Sequence, residues 1–383
     1  MLLEPPVGLA ARQLYVSPAT VVVGPGALSH LGPIARGLGG RALVIAGANG
    51  WQAIEADLAA HLDAHDTCWR FERYRPDCTE PASDRAIAAA AEHEATLIIG
   101  VGGGKALDLA KLVGDSAALP VVTVPTSSAT CAAWTALGNF YTEAGAFDHG
   151  RGLPRCPAAV LVDTTLIARA PARLLASGLA DTLAKWFETS ASVRYETADM
   201  GTRAAWKMAR FLHDEIRAWG EEAYRDALAG RHSAAVDRAI ETNICLAGTV
   251  GGLGGERCRS VAAHAVCNAL TGMPGNAGSW HGEKVAFGIL VQLLLEGRED
   301  EATDLARFFT SIGVPVTLAG LGYHLDEPQL EAVAAHVCRP ASTVHHLPFT
   351  VTPERIRDAV RQADQLGLSL LEAPSRMLKG DHS

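Results

Sequence analysis

What this 383-residue chain lacks narrows its class first. No apolar run approaches the ~20 residues a membrane helix requires; stretches such as 288–295 end far short of that. No block of like charges reads as a tail. The formal charge of −9 argues against non-specific attraction to nucleic acid or to an anionic membrane. The N-terminus has no basic start, and Glu4, Pro5 and Pro6 interrupt it early. No signal peptide is therefore expected, and the expected location is cytoplasmic. No CxxC pair occurs. The cysteines, Cys68, Cys78, Cys131, Cys156, Cys245, Cys258, Cys267 and Cys338, are scattered. That argues against a zinc ribbon and favours free thiols over a disulfide frame.

What is present is an ordinary globular balance of 48% hydrophobic and 20% charged residues. At roughly 100–200 residues per domain, the length suggests two or three domains. Residues 20–23, 42–46, 97–101, 121–124 and 159–162 are brief apolar runs, mostly bounded by Gly or Pro. They fit buried parallel strands. Amphipathic stretches such as 53–65 and 84–91 lie between them, the alternation of an α/β domain. From about Pro171 onward strand signals nearly vanish. Apolar residues then recur at helical spacing through 174–189, 202–219, 236–249, 260–270, 284–296, 300–312, 327–337 and 353–366. The expected fold is an α/β domain with a parallel sheet over 1–165 and an all-α domain over 166–383. A small-molecule site is expected between them.

Two features carry chemistry. The strand ending near Gly100 runs into Gly-Val-Gly-Gly-Gly-Lys at 100–105, and a helix follows. Strand, glycines and helix N-terminus make an anion site, because free N–H groups and the helix dipole face a phosphate. The run is neither GxGxxG nor a P-loop, so a plain strand-to-helix turn stays open beside the phosphate reading. The second feature is Asp181, His264 and His281, each on an otherwise apolar segment. One carboxylate and two imidazoles suit a divalent metal with an open position for water or substrate. Hydrogen-bonded core histidines are the other reading, and spacing does not decide between them.

Four motifs together resemble the glycerol dehydrogenase branch of the iron-type alcohol dehydrogenase superfamily. They are GVGGGKALDLAK (100–111), VPTSSATCAAWTALGNFYTEAG (124–145), GLADTLAKWFE (178–188) and AAHAVCNALT with HGEKVAFGILVQ (262–292). ATCAAWT (129–135), LADTLAKW and CRPASTVHHLPFTVTP (338–353) look most like hydroxycarboxylate dehydrogenases. The resemblance covers nearly the whole chain. It implies a Rossmann-like dinucleotide domain followed by a helical metal domain, and a metal-dependent NAD(P)-linked oxidoreductase. It implies Asp181, His264 and His281 as the metal and catalytic centre, with zinc usual in this branch and iron in others. It implies Gly103, Gly104 and Lys105 on the pyrophosphate, and Thr126, Thr135, Leu137 and Tyr141 along NAD or NADP. Homo-oligomeric assembly is implied as well.

Departures from the pattern shape the substrate expectation. Cys131 stands where glycerol dehydrogenases carry an Asp that holds polyol hydroxyls, and a thiol is a weak donor and poor acceptor. Trp134 is expected to narrow the pocket. Gly47 replaces the acid that binds the adenosine ribose in NAD-specific relatives, which permits NADP. No Arg or Lys within 47–51 would grip a 2′-phosphate. Cys267 replaces a second His three residues after His264. The expected substrate is a small 2-hydroxy or 2-oxo acid, with Lys284 and the His345–His346 pair as candidate carboxylate partners. A polyol or cyclitol dehydrogenase and a non-catalytic nucleotide-binding relative are the alternatives. A dehydroquinate synthase-like cyclase is disfavoured by Asp181, which those enzymes replace with Glu.

Overall fold

The computed structural model describes residues 13–74, 77–274 and 278–372. The outer limits of the two expected domains, residues 1 and 383, lie outside them. The first half alternates strands and helices: β1 Thr20–Gly24, α1 Leu31–Gly37, β2 Arg41–Ala46, α2 Ala48–Gln52, α3 Glu55–Asp63, β3 Cys68–Arg73, α4 Glu80–Glu92, β4 Leu97–Gly102, α5 Gly104–Ser116 and β5 Val121–Pro125. A two-stranded hairpin, β6 Leu137–Tyr141 and β7 Phe147–Gly152, precedes β8 Ala159–Asp163. Six strands form one parallel sheet in the order β1-β8-β5-β4-β2-β3.

The buried strands are the apolar runs. In β2, Ala42–Ala46 are fully buried, and β4, β5 and β8 are buried along their whole length. One face of the sheet packs on α1 and α3 through Leu31, Leu58 and Leu62. The other packs on α4 and α5 through Ala86, Leu109 and Val113. From β2 the chain steps outward to β3, then crosses back past β2 to β4. The order therefore reverses between β2 and β4, and a ligand crevice forms at the carboxyl ends of strands at such a point.

Every described element after β8 is helical: α6 Thr164–Ile167, α7 Ala172–Ser192, α8 Met200–Leu228, α9 Ala234–Glu241, α10 Ala247–Gly254, α11 Ala262–Thr271, α12 His281–Leu295, α13 Glu299–Ser311, α14 Glu327–Val337 and α15 Pro353–Glu372. A π-helical segment, Thr242–Leu246, joins α9 to α10. Its Asn243 is fully buried, donates to the carbonyls of Ser128 and Leu175, and accepts from Thr182 Oγ1. It thereby ties α7 to the loop after β5. Among the described residues no helix is long and apolar enough to cross a membrane.

Three strands differ from the sequence expectation. Residues 68–73, CWRFER, form the sheet edge β3, where partial exposure admits charged side chains and hides the apolar signal. The hairpin β6–β7 has only alternate burial in β6 and almost none in β7. The first glycines of the 100–105 run extend β4, so the turn itself is confined to Gly102–Gly103, with Gly103 as the N-cap of α5.

Candidate active site and metal centre

One cleft of about 1910 Å³ runs between the carboxyl ends of the strands and the helical half. Gly103, Gly104, Lys105, Thr126, Thr135, Leu137 and Tyr141 all border it, as do Asp181, His264 and His281. The structure thus brings the glycine turn and the three candidate ligands into one cavity, although up to 178 residues separate them in the chain.

The ligand cluster depends on close helix packing. Asp181 lies in the middle of α7, His264 in the first turn of α11, and His281 opens α12. A Cβ on Gly282 would sit 1.8 Å from the Ser177 carbonyl oxygen, and one on Gly288 would sit 2.3 Å from that of Ala263. Only glycine lets α12 approach α7 and α11 this closely. As a result one donor atom from each of Asp181, His264 and His281 falls within 4.8 Å of the others.

The electrostatics of the cluster suit a cation. Asp181 Oδ1 lies 3.3 Å from His264 Nε2 and 3.6 Å from His281 Nε2. Neither contact makes a hydrogen bond, and Oδ1 is buried without a partner. A buried carboxylate oxygen left unpaired is costly unless an ion completes it. Burial pushes the Asp181 carboxyl up, but the imidazoles of His264 and His281 outweigh it and hold it well below the usual carboxylate range. Burial lowers the pKa of His281, yet Cys267 and Asp181 together raise it, and His281 in turn draws the Cys267 thiol below its ordinary value. The same negative potential that draws a proton onto the imidazole would draw a divalent metal.

Both imidazoles have partners behind them. His264 Nδ1 lies 2.8 Å from Glu188 Oε2, and that carboxylate is fully buried. Glu188 Oε1 accepts the backbone N–H groups of Val261 and His264 at 2.7 and 3.0 Å. His281 Nδ1 lies 3.4 Å from Cys267 Sγ, whose thiol donates to the His281 carbonyl at 3.7 Å. With Nδ1 engaged on each ring, both Nε2 atoms face Asp181. Second partners of this kind set the tautomer and orient a metal-binding imidazole. An Asp, two His and an open side toward the cleft fit a three-ligand catalytic metal.

At the cofactor end, Lys105 pairs with Asp77 at 2.5 Å and lies 4.0 Å over the ring of Tyr141. Tyr141 itself is held as a neutral phenol by burial. The buried Lys111 pairs with Asp108 at 2.9 Å and donates to the carbonyls of Thr135 and Leu137, while Asp108 accepts the Asn139 N–H. This pair fixes the β6 edge, where Thr135 and Leu137 border the cleft. Motif reading gave neither residue a role, since a charged pair at i,i+3 inside an apolar helix looks like a solvated face.

Other expectations are placed differently. Cys131 borders the cleft, and burial pushes its thiol up, so it stays protonated and uncharged. Trp134 does not narrow the pocket. Its ring is buried against Gly248, and its indole N–H donates to the Val16 carbonyl at 2.9 Å. A turn over Cys131–Trp134, closed by the Trp134 N–H on the Cys131 carbonyl at 3.0 Å, carries Trp134 into the helical core while Cys131 faces the cleft. Cys267 is fully buried behind His281 rather than exposed to a substrate. Lys284 borders the cleft. His345 and His346 do not; their ring nitrogens lie near the Arg339 carbonyl and the Glu256 carboxylate. Arg73, at the end of β3, pairs in register with Ala46 and places a cation on the cleft, which Gly47 also borders.

Residues 18–164 match the family described as iron-containing alcohol dehydrogenase. Glycerol dehydrogenase of Citrobacter freundii is 37% identical over 357 residues, covering 92% of this chain and 97% of that protein. Hydroxycarboxylate dehydrogenase A of Escherichia coli (strain K12) is 36% identical over 293 residues, covering 76% and 81%. The crystal structure of a probable glycerol dehydrogenase from Sinorhizobium meliloti 1021 superposes with a TM-score of 0.85 at 35% identity, covering 94% of this chain and 99% of that one.

Proposed function

The chain belongs to the iron-containing alcohol dehydrogenase family, and from that membership we propose that it interconverts a small 2-hydroxy acid and its 2-oxo acid with NAD(P). The observation that carries the reading is the Asp181–His264–His281 cluster, in the same cleft as the glycine turn. Asp181, His264 and His281 would hold a divalent metal, and Gly103, Gly104 and Lys105 would meet the pyrophosphate of the cofactor. When bound, the metal supplies Lewis-acid polarisation of the substrate oxygen and the nicotinamide supplies or accepts hydride.

The chain's own residues do the rest. Glu188 and Cys267 keep the Nδ1 atoms of His264 and His281 engaged, which leaves both Nε2 lone pairs directed at the cluster. The Asp108–Lys111 pair holds the β6 edge against which the nicotinamide end would rest. Thr135, just before β6, and Leu137, at its start, line one wall of the cleft. Cys131, an uncharged thiol, leaves room where a polyol-binding carboxylate would repel an acid substrate. Zinc is the metal proposed, on the likeness to the glycerol dehydrogenase branch, since two imidazoles and one carboxylate suit zinc and ferrous iron alike. A cytoplasmic location and a homo-oligomer belong to the same proposal.

The test is a turnover screen that follows the reduced nicotinamide. NADH and NADPH are each paired with 2-oxo acids, aldehydes and dihydroxyacetone, before and after chelation, with zinc or iron then restored. Chelator-sensitive reduction of 2-oxo acids is the expected result. Turnover confined to neutral carbonyls would reject the substrate class, and turnover indifferent to chelation would reject the metal.

A further inference from the structure

Lys185 stands one helical turn beyond Asp181 on α7 and borders the same cleft. It is only 4% exposed. Its ammonium donates to one acceptor, the backbone carbonyl of Arg259 at 3.3 Å. An ammonium carries three donors, and a buried cation without a counter-ion is strongly unfavourable. The contrast with Lys111 is sharp. Lys111, equally buried, has a carboxylate and three further oxygens around it. Among the described residues no carboxylate forms an ion pair with Lys185. The two acids nearest along the helix are engaged elsewhere: Glu188, three positions on, holds His264 and the Val261 N–H, and Asp181, four positions back, is turned to His264 and His281.

We propose that Lys185 binds the carboxylate of an anionic substrate, a 2-oxo or 2-hydroxy acid whose other oxygen is directed at the Asp181–His264–His281 cluster. The proposal rests on the substrate class proposed above and names the residue that selects it. Side chains four residues apart on a helix lie about 5–6 Å from each other. In a 2-oxo acid the carboxylate and the oxo group sit on adjacent carbons, so one small molecule reaches both Lys185 and the cluster. Arg259 also borders the cleft, and the uncharged Cys131 offers no competing anion. A neutral polyol has no group that would answer a buried ammonium. Asp181 attracts Lys185 only from a distance, and the carboxylate-bearing counterpart supplies the direct ion pair that Lys185 lacks.

The experiment compares the zinc-loaded full chain with Lys185→Met, Lys185→Gln and Lys185→Arg, using 2-oxobutanoate and the neutral hydroxyacetone with the same reduced cofactor. In the Met and Gln variants the acid-to-neutral ratio of kcat/KM is expected to fall about 100-fold, mainly through KM, and Arg is expected to recover part of it. Oxamate, read by its quenching of bound NADH fluorescence, is expected to bind about 100-fold more weakly without any turnover being measured. An equal loss on both substrates would show that Lys185 is only a tie to the Arg259 carbonyl, overturning the proposal while the substrate class stands. A wild-type protein that prefers hydroxyacetone to every 2-oxo acid and ignores oxamate would reject the substrate class, and Lys185's role with it. If the Met variant fails to fold, the Gln and Arg pair decides the ratio.

Discussion

Glu188 grips His264 twice: one carboxylate oxygen meets the ring at Nδ1 (2.8 Å), and the other accepts the same residue's backbone N–H (3.0 Å). The second oxygen also takes the Val261 N–H, which leaves it no freedom to turn. In Glu188→Gln the amide oxygen must serve those two N–H groups, so the NH2 faces Nδ1. That forces the ring proton onto Nε2 and blocks the metal-facing lone pair. Zinc affinity, read by competition with a chromophoric chelator, is expected to fall about 10- to 100-fold. Unchanged affinity would mean that Glu188 only braces the start of α11.

Gly103 separates a phosphate cradle from a plain turn. Its backbone is extended (φ −84°, ψ 179°), which any residue adopts. A Cβ there meets nothing closer than Ser127 Oγ at 3.8 Å. Gly103→Ala is therefore expected to cost the fold less than about 1 kcal/mol. The methyl would stand where a pyrophosphate approaches the helix N-terminus, so the dissociation constant for NADH is expected to rise about tenfold or more. Calorimetric binding beside a denaturation curve reads both quantities. Intact binding with intact stability would return the turn to a purely structural role.

Cofactor choice should turn on Arg73. It pairs in register with Ala46, is exposed, and borders the cleft, as Gly47 does. A guanidinium there can grip a 2′-phosphate that Gly47 does not repel. Arg73→Ala is expected to lower kcat/KM for NADPH about tenfold relative to NADH. Gly47→Asp, whose backbone conformation is open to any residue, is expected to tilt the ratio the same way. An unmoved ratio in both variants would remove this corner from cofactor selection.

Much of this arrangement was legible in the sequence where burial is uniform. The runs in β2, β4, β5 and β8 are apolar throughout because both faces are covered, and α14 begins at Glu327 as expected because Asp326 and Gln329 form a capping box. Elements half in water were not legible: β3 is a charged edge, and β7 is almost wholly exposed. In the site, the residues carrying distinctive chemistry stood out, while their supports did not. Glu188 lies 76 positions from the ring it orients, and Arg73 is set beside Ala46 only through strand register. Lys111 and Lys185 sit on two helices at similar burial, and only the partners around each ammonium tell a structural cation from an unmatched one.

His213, on α8, gives a prediction remote from the cleft. Its ring lies 6.1 Å from Trp186 and 5.7 Å from Phe187, centroid to centroid, and its Nδ1 is 2.9 Å from Asp214 Oδ1. Burial lowers its pKa from the ordinary 6.5; Asp214 opposes the shift, while Arg210 and Arg217 add to it. The folded chain therefore binds this proton less readily than the unfolded chain does. The stability that the neutral ring supports is present above pH 6.5 and is lost as pH falls from there through the depressed folded value. His213→Gln keeps a polar, helix-compatible side chain but cannot take up the proton. The drop in melting temperature from pH 7 to pH 5 should be smaller in this variant than in the wild-type protein, measured by circular dichroism at matched ionic strength. Equal drops would show that the aromatic pocket tolerates the imidazolium and that acid sensitivity resides in the carboxylates instead.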